Sequence, residues 1–262
     1  MKICKNFIKA ILLCGSLISI NLYANDELNN KLDKKDSIKI CAVTQLYQAL
    51  EEIKSVYKES NLNIFYGTAT KIYSLVANNL ERCDLYLGND DKFIAKYVES
   101  NKAEPSTKVI FAKTSLALLS LTKQFDENCN ILKNIKDLKI SIPDPKLNVS
   151  GYASIEVLKN SKKFDKKVKS KIFYTPNEYV SLSFIINGNT DIGFLPYSLV
   201  VENENSKKGS YCIVPKHLYQ EELNYYAIKF KDIPKNRIDK INLFESFLIE
   251  DPNNMLKNHG FF

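Results

Sequence analysis

IKICAVTQLYQALEEIKSVYKE, residues 38–59, is the stretch that decides the fold. Its first six residues, Ile38–Val43, form an apolar run of the buried-strand kind. Beyond them, Leu46, Ala49, Leu50, Ile53 and Tyr57 recur on one helical face. A strand with no polar face must be covered on both sides, so a strand leading straight into an amphipathic helix is the unit of a parallel, helix-flanked sheet. The unit repeats. A second strand is expected over 61–66, a helix over 70–79 with Ile72, Leu75 and Val76 inward, and a third strand over 84–87.

Residues 109–121 form a longer apolar run without helical spacing, suited to crossing between lobes. A second alternating series comes next: strand 138–142, helix 151–160, strand 171–174, helix 178–186 stopped by Gly188, and strand 191–195. Residues 210–215 and 225–230 read as strands returning to the first lobe. The chain closes on an amphipathic helix with Ile238, Ile241, Phe244, Phe247 and Leu248 on one side. The fold class is therefore α/β, two lobes joined by more than one crossing, with a hinge between them. The expected division is a first lobe over 37–110 and 208–262 and a second over 111–207.

The beginning of the chain reads as an export signal. Lys2, Lys5 and Lys9 precede an apolar run from Ala10 to Ile20, and Leu22-Tyr23-Ala24 offers a small residue before Asn25-Asp26-Glu27. The run is well short of the roughly 20 apolar residues a membrane span needs. A cleaved signal over 1–24, a flexible lead-in over 25–36 and a periplasmic location are expected. Cys14 lacks the small preceding residue of a lipoprotein signal, because Leu13 stands there.

Composition excludes several classes. With 262 residues, 45% of them hydrophobic, the chain can build substantial cores. The net charge of +7 includes the three lysines of the leader, and the remainder is spread over both signs. That is no nucleic-acid footprint. Cys41, Cys83, Cys129 and Cys212 remain after export, and an even number in an oxidising compartment permits disulfides in any of three pairings. There is no CxxC, and His217 and His259 are the only histidines, so no metal site, no cofactor and no Cys-His nucleophile are expected.

Ligands of open α/β sheets bind beyond the carboxyl ends of the strands, where helices begin. Four such junctions are Val43-Thr44-Gln45 and Gly67-Thr68-Ala69-Thr70 in the first lobe, and Val149-Ser150-Gly151 and Pro176-Asn177-Glu178 in the second. Converging helix starts offer backbone N–H groups and partial positive charge to an anion without a formal countercharge. The bland alternative is that Thr, Ser and Asn here are ordinary helix caps. The ligand-binding candidates are Thr44, Gln45, Thr68, Ala69, Ser150, Asn177 and Glu178.

Five segments carry a resemblance: GTATKIY (67–73), DPKLNVSGYASIEVL (144–158), GNTDIGFLPYSLV (188–200), GSYCIVPKHLY (209–219) and the terminal HGF (259–261). Together, in this order, they resemble the periplasmic molybdate-binding proteins of ABC importers, within the type II solute-binding fold. The resemblance implies a non-enzymatic monomer that closes on molybdate, tungstate or a related oxyanion and delivers it to a permease complex. Four positions depart from the family pattern. Gln45 stands where the family has Ser or Asn, Ala69 where it has Ser or Thr, Ser150 where it has Ala or Tyr, and Glu178 where it has Val or Ile. Two like charges at 4 Å repel by about 4 kcal/mol at an effective dielectric of 20. Either Glu178 points away, facing solvent from the first turn of its helix, or the correspondence with the family slips by a residue, or the ligand is not a tetrahedral oxyanion. A divergent receptor for another solute, a sensory or adhesion module, and an enzyme on the same fold are the competing readings.

Overall fold

A computed structural model describes residues 37–262, so the expected leader and lead-in lie outside the described residues. The first sheet contains β1 (Ile38–Val43), β2 (Leu62–Gly67), β3 (Leu85–Gly88), β4 (Val109–Thr114) and β10 (Leu223–Lys229), in the order β2-β1-β3-β10-β4. Strands β1, β2 and β3 are parallel, and β10 runs antiparallel to both β3 and β4. Helices α1 (Tyr47–Val56), α2 (Ala69–Ala77) and α3 (Asp91–Glu99) each follow one of the parallel strands. The chain ends on α8 (Lys235–Glu250) and α9 (Met255–Asn258), with Phe244 and Phe247 of α8 packed edge-on against Tyr57 after α1.

The second sheet repeats the plan. Strands β5 (Leu116–Ser120), β6 (Ile140–Pro143), β7 (Ile172–Thr175), β8 (Ile192–Pro196) and β9 (Ser210–Ile213) are ordered β7-β6-β8-β5-β9. Here β6 is parallel to β7 and β8, and β5 is antiparallel to β8 and β9. Helices α4 (Val149–Asn160), α5 (Lys166–Lys169), α6 (Glu178–Ile186) and α7 (Tyr197–Glu202) flank it. Side chains alternate along β5, so Leu116 and Leu118 join one core while Ala117 and Leu119 join the core on the opposite face. With Leu118 fully buried, Leu118→Ala is expected to cost about 2–5 kcal/mol.

Strand membership corrects two expectations. Residues 111–114 belong to the first sheet, and Ser115 alone separates it from the second. Ser210–Ile213 does not return to the first lobe. It pairs with β5, Ala117 opposite Ile213, and the chain crosses back over 214–222. The crossings thus fall at Ser115 and 214–222 rather than after residues 110 and 207. An apolar run marks burial but not which sheet buries it. The disulfides agree with this division: Cys41–Cys83 lies within the first lobe and Cys129–Cys212 within the second. Among the described residues no helix is long and apolar enough to cross a membrane.

Candidate functional site

Every parallel strand but β8 ends at one cavity of about 270 Å³. From the first lobe it is lined by Thr44 and Gln45 after β1, Thr68 to Thr70 after β2, and Asn89 and Asp90 after β3. The second lobe contributes Leu147 to Val149 after β6 and Pro176 to Tyr179 after β7. Phe93 adds an aromatic face. The volume is several times the roughly 30 Å³ share of one water, enough for a small solute.

Six of the seven candidates line this cavity, and Ser150 stands just behind it. Several of their side chains are already engaged as caps. Thr68 accepts from Lys71 N at 3.2 Å, and Asn177 from Val180 N at 3.0 Å. Asp90, at the third junction, accepts from Lys92 N at 2.8 Å. At these positions the capping explanation holds for the side chains, and what remains for a ligand is chiefly backbone. The start of α4 differs. Asn148 makes no cap and instead donates from Nδ2 to the carbonyls of Asp144 and Pro176, both at 3.1 Å. The helical turn at Thr44–Leu46 likewise has no side-chain cap. Among the described residues no lysine or arginine lines the cavity, so an anion here relies on N–H, amide and hydroxyl donors.

Close packing fixes the start of α4. A Cβ on Gly151 would lie 2.0 Å from the Pro143 carbonyl oxygen, so only glycine lets the helix begin against the end of β6. That places Val149 and Ser150 at the interlobe surface.

Glu178 does not face solvent. It is 3% exposed, and the solvent-facing expectation is corrected by its two hydrogen bonds. Ser150 Oγ donates to Oε1 at 2.8 Å, and Gln45 Nε2, from the other lobe, to Oε2 at 3.3 Å. A carboxylate in the first turn of α6 is also favoured by the helix dipole. Burial raises its pKa above the usual carboxylate range, a shift that these two donors and a backbone N–H oppose and that nearby Asp90 reinforces. Behind it, a small recess is closed by Asn89, Val149, Pro196, Leu223 and Tyr225.

The third junction, Asn89-Asp90-Phe93, was missing from the sequence expectation, as was α3. Its signals were present: a strand ending in Gly88, then an Asp cap with Ile94 and Tyr97 three apart, both buried. Among the described residues no cluster of His, Cys, Asp and Glu has the makings of a metal site.

Two similar α/β lobes, hinged by two short crossings with helix starts from both around one cavity, define a solute-binding protein. The chain belongs to the bacterial extracellular solute-binding protein family, whose model it matches over residues 38–262. Solved structures similar to it include the Azotobacter vinelandii periplasmic molybdate-binding protein, with 20% identity, a TM-score of 0.70, and coverage of 86% of this chain and 98% of that one. A substrate-binding domain assigned to a molybdenum ABC transporter from Clostridium difficile has 21% identity, a TM-score of 0.67, and coverage of 86% and 97%. The L-phospholactate-bound form of PEB3, a Campylobacter jejuni protein, has 13% identity, a TM-score of 0.66, and coverage of 86% and 98%. At these identities the likeness is one of fold.

Proposed function

We propose that this chain is the exported, monomeric solute-binding component of an ABC importer, and that it captures one small oxyanion by closing its lobes. The observation that carries the reading is the convergence of helix starts from both lobes on a cavity without cationic side chains. Each dipole contributes only about 0.3–1 kcal/mol, up to ~2 when partly buried. Micromolar affinity needs roughly 8 kcal/mol. Charge-assisted hydrogen bonds of about 1.5–3 kcal/mol each from N–H groups and from Gln45 therefore supply most of the binding. These contacts exist only when the lobes are together, so the ligand favours the closed form that a permease complex would recognise.

The motif resemblance implies molybdate or tungstate, but Glu178 weighs against a bare dianion while it is ionised. The ligand class proposed is thus the broader one, a small oxyanion. Bound without chemical change, it leaves the chain a carrier and not an enzyme.

Thermal denaturation against molybdate, tungstate, sulfate and orthophosphate tests the reading. A ligand at 100 times its dissociation constant adds about 2.7 kcal/mol, which in a two-lobed chain of this size is a rise of several degrees. No shift with any oxyanion would count against an oxyanion receptor.

A further inference from the structure

Both side-chain donors that reach Glu178 point into its carboxyl oxygens, Ser150 Oγ into Oε1 and Gln45 Nε2 into Oε2. An ionised carboxylate has about four acceptor sites and no donor. Two are taken by these side chains and a third by a backbone N–H, so what Glu178 still offers to the interlobe space is acceptor capacity alone, at a wall shared by the cavity and the recess behind it. An oxyanion oxygen is also an acceptor. Two acceptors in contact inside a water-poor site repel unless a hydrogen lies between them.

The remaining donors around Glu178 are neutral N–H, amide and hydroxyl groups, and Lys92, in the adjoining pocket, donates from Nζ to the Lys146 carbonyl at 3.0 Å. Asp90 at the start of α3 adds a second carboxylate to the lining. Tyr179 on the same helix and Tyr225 on β10 are phenols whose ionisation burial disfavours, Tyr179 also facing Glu202 and Glu178, so both remain neutral. Among the described residues neither lysine nor arginine is present in the lining of the cavity or the recess.

We infer that Glu178 makes solute capture proton-coupled: one proton must lie between its carboxyl group and the bound oxyanion, so the cleft favours monohydrogen phosphate over oxyanions that carry no proton, such as sulfate and molybdate. This rests on the oxyanion reading above. Monohydrogen phosphate brings the proton itself and meets an ionised Glu178. Sulfate brings none, so Glu178 must first take one from water. Burial eases that step at low pH. As pH rises above the carboxyl pKa, sulfate affinity falls tenfold per pH unit, the cost of one proton, whereas phosphate keeps its own.

The test is calorimetric titration of the full chain and of E178Q with sulfate and with orthophosphate, at several pH values from 6 to 9. The amide of E178Q is a permanent stand-in for the protonated carboxyl, and near-identical melting curves establish that the variant is folded. Because orthophosphate titrates a proton of its own inside this range, its dissociation constant is expressed per monohydrogen phosphate; on that basis the ratio of sulfate to phosphate dissociation constants in the unaltered protein is expected to rise at least tenfold from pH 6 to 9. In E178Q the ratio is expected to stay flat, with sulfate binding gained at pH 9. E178V, which removes the proton site without adding an amide, is expected to lose the slope as well.

A flat ratio in the unaltered protein, or the same slope in E178Q, would overturn the proton-coupling inference and leave the receptor reading intact. Absence of binding by both anions to all three proteins at pH 6, while molybdate or tungstate binds, would overturn the inference alone; absence of binding by all four oxyanions would overturn the oxyanion reading and the inference with it.

Discussion

The Nδ1 of His259 lies 3.5 Å from Oε1 of Glu202, and the other ring nitrogen of the same histidine lies 2.7 Å from Glu52 Oε2. Glu202 ends α7 in the second lobe, while His259 follows α9 and Glu52 sits on α1 in the first. The imidazole thus spans the two lobes beside the cleft. Burial pushes the Glu202 carboxyl up to about 8. Its folded pKa exceeds the ordinary value of about 4.3, so between these values the folded state binds more protons than the unfolded one. This contribution to stability is fully present below about pH 4.3 and is lost as pH rises toward 8. The melting temperature is expected to decline over that window, and E202Q to remove part of the decline. An identical pH profile for E202Q would contradict this.

Capping and ligand binding separate by mutation. Thr68→Ala and Asn177→Ala each remove a cap, at an expected cost of about 1 kcal/mol in unfolding free energy. Gln45→Ala removes an amide that caps no helix but donates to the buried Glu178 carboxyl group, so it should weaken oxyanion binding roughly tenfold and also cost about 1 kcal/mol of stability. Denaturant unfolding and calorimetry on the three variants give the comparison. A Gln45→Ala protein with unaltered affinity would remove that residue from the site.

Most of the fold is legible in the sequence because its inner parallel strands, β1, β3, β6 and β8, are buried on both faces. β1 and β8 are nearly all apolar, and the helices between strands carry their inward residues at helical spacing. The cavity could be placed from topology alone, since strand ends and helix starts coincide at Thr44, Thr68 and Asn177. What the sequence withholds is pairing over distance. Whether Ser210–Ile213 joins one sheet or the other depends on β5, more than 80 residues earlier, where Leu118 pairs with Cys212. Glu178 is the sharper case. A residue at the start of a helix can face either way, and its direction is decided by Ser150, 28 residues off, and Gln45, 133 residues off.

Gly151 is where packing and site meet. Because the Pro143 carbonyl stands 2.0 Å from an added Cβ, Gly151→Ala must displace the start of α4 or the end of β6. An overpacking cost of about 1–3 kcal/mol is expected, together with weaker solute binding, because the uncapped N–H groups of α4 move with the helix. Chemical denaturation and calorimetry on one preparation read both effects. A stable protein with unaltered affinity would show that α4 does not hold the ligand.

The disulfides make a prediction about each lobe. Cys129–Cys212 closes a loop of sequence separation 83 and Cys41–Cys83 one of 42. On chain-entropy grounds each restricts the unfolded state by about 4 kcal/mol, with typical losses of about 2–4 kcal/mol on removal. Paired Cys→Ser replacement at 129 and 212 is expected to lower stability by that order, read from urea unfolding. A loss under half a kcal/mol would mean the bridge constrains little.

Amide hydrogen exchange with and without saturating orthophosphate probes the two-sided grip most directly. Slower exchange is expected in four short stretches at once: the turn at Thr44–Leu46 and the first residues of α2 on one side, and the first residues of α4 and α6 on the other. Protection confined to a single lobe, despite bound anion, would contradict a solute held by main-chain groups of both.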